Sequence, residues 1–310
     1  MDQKSSTVLR CPECKSELDW EARRCASCSR GFSVDSGIVD FTADGDLGKQ
    51  HQAEIDLHKE LSGEYEKRYS TDFSEVYSRY WNQQFLEQLP PDPGYILDCG
   101  CGDGDLARDL ILEGQHVFGM DISKAMLIQG KTRLGDNEKM EWVACPAEKM
   151  PFSSGIFDVV CFRGALHHMA NERAALEEAH RVLKTGGTLL LSEPNDDSIL
   201  LRLPRSIVNR RMARFGNDHK AFRSKPWLKT IEATGFRINA TKYFSFLSQP
   251  LCGMSDLLPI MKWIPAAESV AHGLVAFDEF CSRIPLIRSQ SFDLFVAASK
   301  IDDGDKTGPR

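Results

Sequence analysis

Residues 96–106 read ILDCGCGDGDL. An apolar strand runs into an aspartate, then three glycines at alternate positions, then the start of a helix. Glycines at such a turn let the backbone approach a ligand closely at the carboxyl end of a strand in an open α/β sheet. The flanking sequence fits that setting. YILDC (95–99), HVFGMD (116–121), EWVAC (141–145), FDVVCF (157–162) and TLLLSE (188–193) read as buried strands. Between them, DLARDLILEG (105–114), SKAMLIQGKTRL (123–134) and NERAALEEAHRVLK (171–184) read as helices. The last of these sets Ala175, Ala179 and Val182 on one face and stops at Gly186-Gly187. Such alternation predicts a parallel sheet with helices on both faces. Further on, KPWLKTIEATGF (225–236) reads as a helix, RINATKYFSF (237–246) as a strand and SFDLFVAAS (291–299) as a last strand.

The turn also constrains its ligand. Asp121 closes the second strand, seventeen residues after Gly104, where a carboxylate can accept hydrogen bonds from ribose hydroxyls. A dinucleotide would bring a pyrophosphate against Asp98, which stands immediately before the glycines. A carboxylate there suits a ligand with an ammonium group, the amino-acid half of S-adenosylmethionine. The spacing is G-x-G-x-G, not the dinucleotide pattern G-x-G-x-x-G.

ILDCGCGDG resembles the glycine motif of class I S-adenosylmethionine-dependent methyltransferases. GMDISKAML (119–127), FDVVCFRGALHHM (157–169) and RVLKTGGTLLLSEPN (181–195) resemble further motifs of that family in order and spacing. The resemblance implies an α/β fold: a Rossmann-like, seven-stranded, mostly parallel sheet whose last strand is antiparallel. It implies that Asp98 and the loop Gly100, Cys101, Gly102 and Gly104 hold the methionine portion, that Asp121 binds the ribose and that Ile122 packs on adenine. ACPAEKMPF (144–152) resembles the adenine turn, where an acidic residue usually precedes Ala-Glu; Pro146 stands there instead, leaving Ala147 and Glu148 as adenine contacts. Arg163 falls on the sulfonium side of the donor, an odd neighbour for a cation, and alternatively anchors an anionic substrate.

Methyl transfer needs alignment and exclusion of water, and a base only when the acceptor must lose a proton. His167 and His168, just past the fourth strand, and His219 are the candidates for that base, with His219 preferred; His168 also fits a structural hydrogen bond beneath the cofactor. Cys99 and Cys101 read as small packing residues.

Ahead of this domain, CPEC and CASC supply Cys11, Cys14, Cys25 and Cys28. Two such knuckles make a four-thiolate zinc site, and with every ligand a protein thiolate the zinc is expected to be structural. The organisation read is a zinc-ribbon-like segment over 1–45 and a methyltransferase domain over 46–310. Within the latter, 46–90 is helical, and 195–222 and 247–288 are insertions shaping the acceptor site.

MDQKSSTVLR lacks the apolar core of a signal peptide, and charges interrupt the greasiest C-terminal region, so a cytoplasmic protein is expected. A net charge of −7 argues against bulk nucleic-acid binding. Locally, nine Lys or Arg between Arg202 and Lys229 face one acid, Asp218. That cluster suits a phosphate-bearing acceptor, an anionic membrane surface or RNA. Downstream, Ala267, Val270, Ala271, Leu274 and Phe277 form one apolar helical face, suited to covering a greasy acceptor, resting on lipid at the inner face of the membrane, or packing as a lid. The expected activity is methylation of a small or lipid-linked, anionic acceptor such as an isoprenoid, glycan intermediate or secondary metabolite. The alternatives are an RNA methyltransferase that grips rRNA or tRNA with the zinc ribbon, and a non-catalytic scaffold that binds the cofactor. CPECKSELDWEARRCASCSR is only modestly basic, and SEPND stands where many nucleic-acid methyltransferases carry an Asn-Pro-Pro-Tyr type motif.

Overall fold

The computed structural model describes residues 7–42, 47–69, 71–201, 221–255 and 258–302. The expected strands form β5 (Ile96–Cys99), β6 (Val117–Asp121), β7 (Met140–Ala144), β8 (Phe157–Arg163), β9 (Leu183–Pro194), β10 (Phe236–Phe244) and β11 (Asp293–Lys300). β5 pairs in parallel with both β6 and β8, and the ladder continues in parallel to β7 on one side and β9 on the other. β11 inserts between β9 and β10, antiparallel to both, as the resemblance implied.

The sheet is wider than seven strands. Four short strands precede it: β1 (Leu18–Asp19) and β2 (Arg24–Cys25) form a small hairpin, and β3 (Ser33–Asp35) and β4 (Ile38–Asp40) form another. The second hairpin turns at Ser36-Gly37, both with positive φ (52° and 75°), the backbone that two-residue hairpin loops favour. β4 then pairs in parallel with β7, Val39 opposite Val143, giving the order β10-β11-β9-β8-β5-β6-β7-β4-β3. The cysteine segment is thus joined to the sheet by backbone hydrogen bonds.

Helices cover both faces. α1 (Lys49–Tyr69) and α2 (Asp72–Leu86) precede β5; α3 (Asp105–Leu112), α4 (Lys124–Leu134) and α5 (Glu172–Val182) follow β5, β6 and β8; α6 (Ser224–Ala233) precedes β10 and α7 (Ala267–Ser282) precedes β11. Alternate strand residues serve opposite cores. Leu97, Val160 and Phe162 pack with Ala175, Leu176 and Ala179 of α5 and Ile231 of α6. Ile96, Val159 and Cys161 pack with Leu106 and Leu110 of α3, Tyr77 and Phe85 of α2 and Ala271 of α7. Strands buried on both faces need the near-continuous apolar runs seen in the sequence.

α7 is turned relative to its apolar pattern. Ala267, Ala271 and Leu274 face inward, but Val270 and Phe277 are exposed. The inward face is completed by Asp278, wholly buried, whose carboxylate accepts the amides of Phe246, Leu247 and Ser248. A buried capping acid, not another apolar side chain, sets the helix orientation. No helix among the described residues is long and apolar enough to cross a membrane.

Candidate active site

Strand order reverses at β5: β6 and β7 lie to one side, β8 and β9 to the other. The carboxyl ends of β5, β6 and β8 therefore diverge and leave a crevice, the usual ligand site of such sheets. A cavity of about 320 Å³ occupies it. Asp98, Gly100, Cys101, Gly102, Asp121, Ile122, Ala147, Glu148, Arg163 and His168 all line it, so residues 70 positions apart in sequence converge there. Gly104 does not line the cavity; it caps α3 with a left-handed backbone (φ 75°) and backs onto the Trp142 ring. Gly100, also left-handed (φ 70°), lies so close to Ala165 that a Cβ would sit 2.4 Å from the Ala165 Cβ. That position demands glycine on two counts.

The carboxylates of this crevice differ in surroundings. Asp121 accepts the Gly102 amide on Oδ2 and the Ser123 amide on Oδ1, both at 2.8 Å, which ties the glycine turn to β6. Asp98 is 1% exposed, and its Oδ2 has no hydrogen-bond partner among the described residues. Burial pushes its pKa up to about 7, against the pull of the Arg163 cation. A buried, under-satisfied acid on a cavity wall is the environment an ammonium group would relieve.

Arg163 does not point a bare charge at the cavity. Its Nη2 pairs with Asp105 at 3.0 Å and donates to Ser78 Oγ, and its guanidinium lies 4.3 Å over the Trp81 ring. Asp105 and the Trp81 ring thus engage this cation at the crevice wall. Cys99 and Cys101 are buried, and burial raises both thiols well above the ordinary range, so they pack and do not attack.

The sequence pattern did not reveal the wall that closes the cavity. His51, Glu54 and His58 lie three and four positions apart on α1 and line it, as do Tyr77 and Trp81 of α2. His51 Nε2 is 3.2 Å from Glu148, while Glu54 Oε2 lies 3.7 Å from His58 Nε2 and 3.6 Å from His168 Nδ1. Burial, then the neighbouring His167, pushes the His168 pKa down; burial lowers His58 as well. Burial thus favours the neutral form of both rings. Beneath them, Glu193 is fully buried, accepts the amides of Ala165 and Leu166, and lies 2.7 Å from His167 Nδ1, fixing the loop after β8. The spacing H-x-x-E-x-x-x-H in α1 was the available signal, hidden because polar helical residues normally face solvent. His219 and most of the basic run, residues 202–220, lie outside the described residues.

Cys11, Cys14, Cys25 and Cys28 converge: their sulfurs all lie within 4.8 Å of one another. Cys11–Cys28 and Cys14–Cys25 are 3.5 and 3.4 Å apart, near the ~3.8 Å edge of a tetrahedron with 2.3 Å zinc–sulfur arms. The amides of Ser27 and Cys28 point at Cys25 Sγ, as thiolate ligands require. This donor set fits zinc.

The sheet topology and the acidic, glycine-lined crevice define a nucleoside-binding α/β enzyme. A family model described as a methyltransferase domain matches residues 97–191. The demethylmenaquinone methyltransferase of Clavibacter sepedonicus is 32% identical over 230 residues, which is 73% of this chain and 87% of that protein. A ubiquinone/menaquinone biosynthesis C-methyltransferase of Paraburkholderia phymatum is 38% identical over 120 residues, covering 37% of this chain and 49% of its own length. In structure, a SAM-dependent methyltransferase of Thermotoga maritima superposes with a TM-score of 0.54 at 16% identity, over 79% of this chain and 99% of that one. The chain belongs to the class I S-adenosylmethionine-dependent methyltransferases.

Proposed function

We propose that this enzyme methylates a small or lipid-linked acceptor, of the kind represented by quinones, that enters beside the α1–α2 wall and stacks near Trp81. The observation that carries this reading is the aromatic and imidazole wall itself. Tyr77, Trp81, His58 and His168 share one cavity with Asp98 and the glycine turn. Bound S-adenosylmethionine supplies an activated methyl group, leaving the chain to orient the partners and exclude water. Asp98 holds the ammonium, Asp121 the ribose, Ile122, Ala147 and Glu148 the adenine end. His168, backed by Glu54, takes a proton from an acceptor hydroxyl or carbon acid.

Two further features support a lipid-linked acceptor. Trp263 is 85% exposed and Phe280 63% exposed, large apolar side chains a water-soluble substrate does not require. The relatives' names add quinone substrates to the same reading. An anionic group on the acceptor, and peripheral contact with an anionic membrane, rest on the basic sequence 202–229. RNA methylation is less well supported, because the cysteine segment is engaged with this chain itself, through Arg10 to Pro151, Glu13 to Lys149 and Lys15 to Met150 and Glu178.

The test is transfer of radiolabelled methyl from S-adenosylmethionine into extract of the source cells, separated into organic, RNA and aqueous fractions. Label in the organic or small aqueous fraction is the expected outcome. Label confined to RNA would overturn the acceptor assignment.

A further inference from the structure

Residues 8–15, which carry two of the four cysteines, run along residues 149–153, the far side of the turn that lines the cavity. Arg10 donates its amide to the Pro151 carbonyl at 2.8 Å, and Ser153 donates to Val8 at 3.0 Å, making a one-residue β-bridge around Leu9 and Phe152. Lys15, one residue past Cys14, donates Nζ to the Met150 carbonyl at 3.1 Å and pairs with Glu178 at 2.8 Å. Glu13, between Cys11 and Cys14, pairs with Lys149 at 2.9 Å and with Arg30 at 2.6 Å. Arg30, two residues past Cys28, also donates to the Phe41 carbonyl, and Phe41 donates its amide to Ala144.

The clasped segment is the cofactor side of the site. Cys145, Pro146, Ala147 and Glu148 line the cavity, between the two ends that the cysteine segment grips. The turn closes on itself with a Lys149 amide to Pro146 carbonyl bond at 3.1 Å, and α5 holds its inner side: Arg181 donates to the Met150 and Phe152 carbonyls, and Glu148 accepts the Asn171 amide, leaving the cysteine segment to hold the outer side.

We propose that the zinc knuckles are a positioning device for the methyl donor. Metal held by Cys11, Cys14, Cys25 and Cys28 fixes the loops bearing Glu13, Lys15 and Arg30, and these fix the turn 144–153 on which the adenine end rests. The apolar residues of the segment, Leu9, Phe32 and Phe41 among them, are buried in the main core, and metal adds the folding energy that orders the knuckles themselves. Losing the metal releases the knuckles, and the turn loses its outer support. The knuckles then act on donor affinity, whatever the acceptor is. This inference rests on the assignment of residues 145–148 to the adenine end.

The experiment uses the full chain, zinc-loaded and after zinc extraction by a chelator, with S-adenosylhomocysteine affinity read by calorimetry and hydrogen exchange read over residues 144–153. Extraction is expected to weaken affinity at least tenfold and to raise exchange in 144–153 while β5 and β8 stay protected, with zinc restoring both. Unchanged affinity and exchange would overturn the proposal. Should extraction unfold the whole chain, Lys15→Ala with zinc still bound carries the test: a three- to tenfold loss is expected, and wild-type affinity overturns it. Zinc-loaded wild-type protein that binds no S-adenosylhomocysteine would refute the donor-site assignment itself, and with it the inference.

Discussion

His167 Nδ1 lies 2.7 Å from Glu193 Oε2, and the other oxygen of that carboxylate accepts the amides of Ala165 and Leu166. One buried acid at the end of β9 thus shapes the loop after β8, whose residues Gly164 to Met169 border the cavity, apart from Leu166. Glu193→Ala leaves those buried donors without this acceptor, a cost of about 3 kcal/mol. Thermal melts should show the loss of stability, and calorimetry a drop of about tenfold in S-adenosylhomocysteine affinity. A variant as stable as wild type would show that the loop is held by other contacts.

Asp98 makes donor binding depend on pH. In the free protein burial holds its pKa at about 7, whereas an ammonium partner requires the carboxylate. Protons therefore bind the free protein more tightly than the complex, so affinity rises with pH up to about 7 and flattens above. Below that point the slope approaches a factor of ten per pH unit. The same shift acts on folding: a carboxyl raised in the folded state loses stability as pH climbs from its unfolded value of about 4 through about 7. Asp98→Asn should abolish the slope in a titration from pH 5.5 to 7.5 and weaken binding at pH 7.5. A slope that survives the substitution would assign it to another group.

Asp121→Ala removes the acceptor of the Gly102 and Ser123 amides and, on the proposed reading, the ribose acceptor. S-adenosylhomocysteine affinity is expected to fall at least a hundredfold by calorimetry. Asp121→Asn keeps an oxygen and should fall less. Equal affinities for wild type and Asp121→Ala would remove this residue from the site.

Asp278→Ala tests the segment proposed to shape the acceptor site. It strips three amides of their buried acceptor and should cost about 3 kcal/mol in chemical denaturation. Donor affinity should stay within twofold of wild type, because Asp278 caps the chain entering Gln249–Gly253 and does not itself line the cavity. A large loss of donor affinity would show that the two halves of the cavity are coupled.

What the sequence reveals here follows from the range of the signal. β5, β6 and β8 are apolar runs that alternate with helices, with glycine at or just after the end of β5 and β8 and an acid closing β6, so strand identity and the crevice at their ends could be read directly. The hairpin of β3 and β4 could not, because three-residue strands such as Ser33–Asp35 have no measurable period. Glu54, His58, Glu193 and Asp278 were hidden for another reason. Each is a polar residue that faces inward, and a one-dimensional pattern assigns polar residues to water. Their partners are distant in sequence: Glu54 meets a histidine 114 positions away (168 − 54).

The parallel pairing of β4 with β7 changes how this chain can be divided. Trimming it near residue 45, where composition alone suggests a seam, would strip the flank of β7 and expose a hydrogen-bonding edge beside the apolar Trp142 and Val143. Bare edges of that kind recruit strands from other molecules. The shortened protein is therefore expected to be aggregation-prone even if its catalytic half folds. Transplanting the cysteine segment onto another methyltransferase would require carrying the recipient's outermost strand with it.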